Sequence, residues 1–347
     1  MYKILLFTDI HHGKKNNSIE HNEDCSNFID WVISIAKEQQ VDSIGFLGDW
    51  NESRSSIDLV TLKYSYKNME KLNKLGIPIY FVVGNHDMAN RNERDTISTI
   101  YANSFENFVV IDKPTSIEVE DQKWLFCPYL NESEYPILKQ YTDHSVWLGH
   151  FEFKGFILTG ANVVATHGAD PNEYVTDLIL SGHYHKRQNK KHVHFIGNTF
   201  PMDFGDANDF ERGCCILDSD KQLTFYNWDQ GPKYVVSKLS EFAQNPSNYK
   251  NVIQNSHCKI IVDVDITYEK LGSVEQLLLT KYKPRTLLID DSILTPLVYE
   301  EDQRNEDIDT LTKTTEQIIS EMLEQIKLEN VDKELLLNLF RSTINNE

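Results

Sequence analysis

The feature that most constrains this chain is an alternation in its first 110 residues. Three times an apolar run gives way to a short polar loop, and segments of helical periodicity lie between the runs. Residues 3–7 lead into Thr8, Asp9, Ile10, His11, His12 and Gly13. Residues 43–47 end at Gly48 and Asp49, and residues 79–83 end at Gly84, Asn85, His86 and Asp87. Between them, Phe28, Trp31, Val32, Ile35 and Ala36 recur at helical spacing, and residues 57–75 read as a second helix stopped by Gly76 and Pro78. Strand, loop, helix, strand is the pattern of βαβ units, which form a parallel sheet. In such sheets chemistry collects at the carboxyl ends of the strands.

From about residue 107 the texture changes to short strands with turn signals. Residues 109–111, 116–119 and 123–127 read as a meander, followed by strands at 145–150, 163–166 and 177–181 and closing strands at 192–196, 214–218 and 222–226. The expected fold is α/β in layers: a two-sheet β-sandwich core flanked by helices over residues 1–232, with a boundary at Gly231 and Pro232. Residues 233–295 are expected to form a small α/β cap, with strands at 259–266 and 285–290 around a helix at 274–280. Residues 296–347 read as an acidic linker followed by two amphipathic helices, at 309–328 and 332–344.

The chain has 53 acidic and 34 basic residues, a net charge of −19. Taken alone, that charge opposes nucleic acid, whose phosphates demand a basic face. Residues 291–347 carry −9 of it, with 14 acidic and 5 basic side chains. With no apolar run of membrane-spanning length and no secretory signal at the start, a cytoplasmic protein is expected. The five cysteines, Cys25, Cys127, Cys214, Cys215 and Cys258, contain no C-x-x-C pair and read as reduced, buried thiols.

Chemistry sits where strands should end: Asp9-Ile10-His11, Gly48-Asp49, Gly84-Asn85-His86-Asp87, Gly149-His150 and Gly182-His183-Tyr184-His185. Each supplies oxygen or imidazole donors and none supplies Cys, a set that suits manganese, iron or zinc. The D-x-H spacing lets two side chains of one loop reach one ion, and alternate residues of an extended H-x-H segment point the same way. His12 is a neighbour one residue out of that spacing. His167 also follows an apolar run and competes with His150 as a ligand. His21, His144, His192, His194 and His257 read as ordinary surface or core histidines.

This ordered set resembles the calcineurin-like binuclear metallophosphoesterases. Within that superfamily the chain is similar to the SbcD-type double-strand-break repair nucleases, in particular the recombination endonuclease subunits of tailed bacteriophages. The supporting text is Val146 to Phe156, Leu180 to His185, Phe195 to Pro201, Phe204-Gly205-Asp206 and Arg212-Gly213. One departure is Pro201, which comes later than the proline that follows Gly-Ser or Gly-Thr in the family. The resemblance implies that Asp9, His11 and His185 hold one divalent ion, that Asn85, His150 and His183 hold a second, and that Asp49 bridges them. It implies Mn2+ as the metal, with Mg2+ as the alternative, and His86 as the catalytic histidine. Asp87 would orient that imidazole or cap a helix.

The implied activity is a manganese-dependent DNA nuclease, exonucleolytic on duplex ends and endonucleolytic on single strands. It would act in repair and recombination with an SbcC-type coiled-coil ATPase, as a homodimer within a heterotetramer, in the host cytoplasm if phage-encoded. Two other readings compete. The V-D-R-G stretch of Ser/Thr protein phosphatases is replaced here by Trp50-Asn51-Glu52-Ser53-Arg54. A small-substrate or cyclic-nucleotide phosphodiesterase would leave the cap and the tail unexplained. The tail either folds back on the core or docks on the ATPase through Leu335, Leu336, Leu339 and Phe340. The dimer face is expected on residues 57–75 and 96–105, with Tyr64, Tyr66 and Met69 serving either that face or the core.

Overall fold

In a computed structural model the described residues are 1–90, 93–158, 163–244 and 253–292. The strands are β1 (Lys3–Phe7), β2 (Ser43–Phe46), β3 (Ile79–Val82), β4 (Met88–Asn90), β5 (Glu93–Ile97), β6 (Phe108–Ile111), β7 (Thr115–Val119), β8 (Gln122–Cys127) and β9 (Val146–Gly149). They continue as β10 (Leu178–Ser181), β11 (Gln188–Lys190), β12 (Val193–Phe195), β13 (Gly213–Asp218), β14 (Leu223–Asn227), β15 (Lys233–Lys238), β16 (Ser256–Ile261) and β17 (Thr286–Asp290). The helices used below are α1 (Ile19–Gln39), α2 (Leu59–Asn73), α3 (Leu239–Gln244) and α4 (Tyr268–Leu277).

Two six-stranded sheets make the core, in the orders β14-β13-β1-β2-β3-β6 and β11-β12-β10-β9-β8-β7. In the first, β1, β2, β3 and β6 run parallel and β13 and β14 close the edge antiparallel. The second repeats the plan, with β8, β9, β10 and β12 parallel between antiparallel edges. The alternation of side chains in β1 shows how both faces are used. Ile4 and Leu6 point between the sheets and pack with Trp124, Phe126, Val146, Leu148 and Leu180. Leu5 and Phe7 point the other way and pack with Phe28, Ile29 and Val32 of α1 and with Met69 and Leu72 of α2. Sheets covered on both faces need continuous apolar runs, which is why these strands read so clearly. The outer face of the second sheet, through Leu125, Trp147, Ile179 and Phe195, is covered by Phe151, Phe153, Phe156 and Tyr184.

The two-sheet α/β architecture expected from the sequence is present, with local corrections. The expected meander is split: β6 pairs with β3 in the first sheet, whereas β7 and β8 form a hairpin in the second. Residues 163–166 do not form a strand. Val164 makes only an isolated bridge to Ile157, and both Val163 and Val164 are exposed, so the β-branched run is not part of either layer. The helix expected at 96–105 is instead the end of β5, paired with β4, and a single tight turn at Ile100–Ser104. Met69 is fully buried in the core and cannot serve a dimer face, while Tyr66 is 44% exposed.

Beyond Gly231, β15, β16 and β17 form a separate three-stranded parallel sheet with its own core of Val235, Leu239, Phe242, Cys258, Ile260 and Leu278. This sheet has one strand more than expected, and β16 starts earlier, because Ser256 and His257 extend the ladder although neither is apolar. Arg285 ties it to α1 by a two-pronged contact with Asp24, at 2.6 and 2.9 Å. The tail helices and Leu335, Leu336, Leu339 and Phe340 lie outside the described residues.

Leu148 is completely buried between the two sheets. Leu148→Ala is expected to destabilise the protein by about 2–5 kcal/mol, read as a lowered midpoint at unchanged slope in urea unfolding.

Candidate metal centre

Parallel registration brings the strand ends together. Ile4 pairs with Ser43 and Phe7 with Phe46, so the loops after β1 and β2 leave side by side. Ser181 of β10 pairs with Gly149 of β9, which does the same for His150 and His183 in the second sheet. Close approach of the two sheets needs glycine: a Cβ on Gly182 would lie 2.0 Å from Thr8 Oγ1 and 2.7 Å from Leu47 O. Four predicted ligands sit on left-handed backbone, with φ of 52° at Asp9, 49° at His11, 63° at Asp49 and 82° at His183. Hydrogen bonds between loops hold them there, with Asp9 N donating to Gly48 O at 2.9 Å and His11 N to Asp49 O at 3.2 Å.

All the expected donors converge. His11 Nε2 lies 3.2 Å from His185 Nε2, 3.9 Å from Asp9 Oδ1 and 3.8 Å from Asp49 Oδ2. His150 Nε2 lies 3.4 Å from Asp49 Oδ2 and 3.0 Å from Asn85 Oδ1. Three groups have donor atoms within 4.8 Å of one another: Asp9, His11 and His185; His11, Asp49 and His86; Asp49, His150 and His183. Asp49 thus stands between the two ends of the cluster. His150 lies fully buried among these donors, while His167 is exposed and belongs to no such group among the described residues.

The donor chemistry fits cations. His150 Nδ1 sits 2.7 Å from Leu47 O, a carbonyl that only accepts, so this nitrogen carries the hydrogen. In the neutral ring Nε2 then presents a lone pair to the carbonyl of Asn85 and the carboxylate of Asp49. Lone pairs converging in a buried site repel unless a positive charge lies between them. The titration behaviour shows the same demand. Burial opposes charge on His150, but Asp49 outweighs it and the imidazole rises to about 9. Burial raises the Asp9 carboxyl to about 6 against the pull of His150. At Asp49 burial acts upward as well, yet His150, His11 and His86 hold that carboxyl well below the usual range. Burial, with help from His11 and Lys14, keeps His185 uncharged.

Asp87 is placed differently from either contact expected for it. Its buried carboxylate accepts from the backbone N–H groups of Gly84 (3.0 Å), Asp49 (2.9 Å), Trp50 (2.9 Å) and Asn51 (3.2 Å). Neither the His86 ring nor a helix N-terminus is among these partners. His86 is held instead by Glu52, whose carbonyl accepts from Nδ1 at 2.8 Å, and its backbone N–H donates to Asp49 Oδ1 at 2.8 Å. Burial lowers the His86 pKa, with Asp49 partly offsetting it.

Glu52 and His21 are supports that sequence reasoning missed. Glu52 Oε2 approaches His11 Nδ1 to 2.7 Å without the alignment of a hydrogen bond, and His21 Nε2 donates to His11 O at 2.9 Å. Glu52 follows the Gly48-Asp49 loop closely enough to have been considered, whereas nothing local marks His21. His12 is fully buried, with Nδ1 3.0 Å from Trp50 O and Nε2 2.9 Å from Asn68 Nδ2, and takes no part in the cluster. Despite the late Pro201, Asn198 N still donates to His185 O at 3.0 Å and so braces that residue.

A family model described as calcineurin-like phosphoesterase matches residues 2–187, more than half of the chain and all of the clustered donors. The chain belongs to that family. Among curated proteins, this phosphoesterase is 26% identical over 227 residues to "Exonuclease subunit 1" of Enterobacteria phage T4. The match covers 64% of the chain and 66% of that protein, slightly less than two thirds of its length. Among solved structures it is similar to an archaeal phosphodiesterase, at 16% identity and a TM-score of 0.37, covering 65% of this chain and 99% of that one. It is also similar to the phosphoesterase Yfce of E. coli, at 15% identity and a TM-score of 0.33, covering 64% and 96%. No helix among the described residues of the phosphoesterase is long and apolar enough to cross a membrane.

Removing the Asp87 carboxylate leaves four buried N–H groups without their acceptor, each worth about 1–3 kcal/mol when unmade. Asp87→Ala is therefore expected to cost about 3 kcal/mol or more in urea unfolding and to weaken divalent-metal binding by calorimetry. The isosteric Asp87→Asn, which keeps one acceptor oxygen, should lose less on both counts.

Proposed function

We propose that this phosphoesterase is a divalent-metal-dependent DNA nuclease that works with an ATPase partner. The observation that carries the reading is the buried convergence of Asp9, His11, Asp49, Asn85, His150, His183 and His185 at the mouths of two sheets. In this reading Asp9, His11 and His185 hold one ion, Asn85, His150 and His183 the other, and Asp49 bridges them. Two divalent ions there, Mn2+ first and Mg2+ second, would polarise a phosphodiester and lower the pKa of an attacking water. The chain's own residues supply the rest. The Glu52 carbonyl fixes the His86 ring through Nδ1 and leaves Nε2 for the charge that develops on the phosphate or the leaving oxygen. Asp87 acts as a positioning residue, since its carboxylate touches only the backbone of the two loops that carry Asp49 and Asn85.

The nuclease assignment is supported by similarity to a phage protein whose name calls it an exonuclease subunit. A subunit implies a partner, and an SbcC-type coiled-coil ATPase is the one proposed here. In this reading residues 1–232 are the nuclease domain and residues 233–295 the cap. Residues 296–347 are the ATPase-docking segment, engaging through Leu335, Leu336, Leu339 and Phe340. Two such subunits would pair as a homodimer through α2, where Leu59, Val60 and Tyr66 are exposed. With net charge −19, the subunit alone should bind DNA weakly and with strong salt dependence.

His86→Ala should retain both metal ions in elemental analysis while hydrolysing bis(p-nitrophenyl) phosphate roughly 10²–10⁴-fold more slowly with Mn2+. An unchanged rate would remove His86 from the chemistry, and lost metal would make it a ligand. Faster cleavage of a phosphomonoester than of the diester, with no cut in linear duplex DNA, would favour a small-substrate phosphatase.

Deletion of residues 305–347 should abolish co-purification with the ATPase and leave manganese-dependent hydrolysis of the same diester within about twofold. Undiminished association would place the docking surface elsewhere.

A further inference from the structure

The chain is strongly acidic, yet residues 183–194 contain no acidic side chain. They hold Lys186, Arg187, Lys190 and Lys191 together with four histidines. This run starts at the metal-site residues His183 and His185 and passes directly into β11. That strand pairs with β12 on one side only and is the edge of the second sheet. Lys190 and Lys191 are exposed, and the separate loop before Gly155 adds an exposed Lys154. These three lysines and His192 line one cleft of about 310 Å³, where Asp170 is the single acidic group among the described residues and pairs with Lys154 at 3.2 Å. Lys186 and Arg187, which directly follow His185 in the sequence, line a second groove of about 540 Å³, which also holds Asp209 and Glu211. Arg187 is fixed in place: its guanidinium lies 4.4 Å over the Phe225 ring and donates to Asn227 Oδ1 at 2.8 Å.

From these placements we propose that the strip of Lys154, Lys186, Arg187, Lys190 and Lys191 is the track for the polynucleotide strand leading away from the metal centre. The inference deepens the nuclease reading and rests on it. Charge is the first argument, because a polyanion approaching a protein of net charge −19 is repelled except where cations outnumber acids, as the five cations of the two grooves outnumber Asp170, Asp209 and Glu211. Reach is the second. Lys191 is six residues from His185, at most about 20 Å of extended chain, which matches roughly six base-pair steps along a duplex axis at 3.4 Å each. A bland reading exists, since lysines on an edge strand protect it from pairing with other sheets. That reading covers Lys190 and Lys191, but not Lys154 from a different loop, nor Lys186 and Arg187 before the strand begins.

The test compares the full-length wild type with the Lys154→Glu/Lys190→Glu/Lys191→Glu variant and the milder Lys190→Gln/Lys191→Gln variant. The probes are a fluorescein-labelled 30-base-pair DNA duplex and bis(p-nitrophenyl) phosphate. Both variants should hydrolyse the small diester within about twofold of wild type. The triple variant should bind the duplex at least about tenfold more weakly at low salt. The slope of log affinity against log salt should become shallower by about 2 to 3 in the triple variant and by about 2 in the double variant. Duplex affinity and salt slope equal to wild type would overturn the strip, and self-association in light scattering with an unchanged slope would overturn it in favour of edge protection. A wild type that hydrolyses the diester but neither binds the duplex at low salt nor cuts it in the presence of the ATPase partner would overturn the nuclease reading and the strip with it.

Discussion

The site depends on one buried carboxylate that is not among the clustered donors. Asp87 accepts four backbone N–H groups, three from the loop after β2 and one from the loop after β3. Those loops deliver Asp49 and Asn85, so a single side chain sets the distance between two proposed ligands. Buried N–H groups must find acceptors, and here the acceptor is shared. Neither loop can move without stranding donors in the other. Similar economy appears across the sheets, where Leu47 O takes the hydrogen of His150 Nδ1 and the Asp9 carboxylate receives the backbone N–H of His183.

Electrostatics give this rigidity a purpose. Two carboxylates, one amide oxygen and four imidazoles meet in a space closed to water on most sides. Charge in such a place must be compensated. Burial raises the Asp9 carboxyl to about 6 and Asp49 raises the His150 imidazole to about 9, so each charge in the site leans on an opposite one. The same logic runs outward along the surface, where an acid-free stretch of sequence continues from His183 and His185 into an edge strand while the rest of the chain carries the negative charge.

Much of this was legible in the sequence, and for a definite reason. β1, β2, β3, β9 and β10 are buried on both faces, so their apolar runs are unbroken and the residues that follow them stand out. The proposed ligands are among those residues. What stayed hidden lacks such a frame. Asp87 differs from its neighbours only in where its carboxylate ends up, and His21 reaches the site across ten residues of sequence. Residues 163–166 have the composition of a strand but no partner ladder, and residues 96–105 pair with β4 through contacts that no helical spacing anticipates. β16 begins in polar residues because its register is set by its neighbours β15 and β17.

The left-handed backbone at Asp9, His11, Asp49 and His183 has a further consequence. Each such residue stores about 1–2 kcal/mol relative to an ordinary conformation, and the strain lies in the main chain rather than in the donor atoms. Glycine at any of these positions would release the strain while deleting a donor of the cluster. The loops therefore hold a reserve of conformational energy that only function justifies, and the most stable form of this fold is not the form that works.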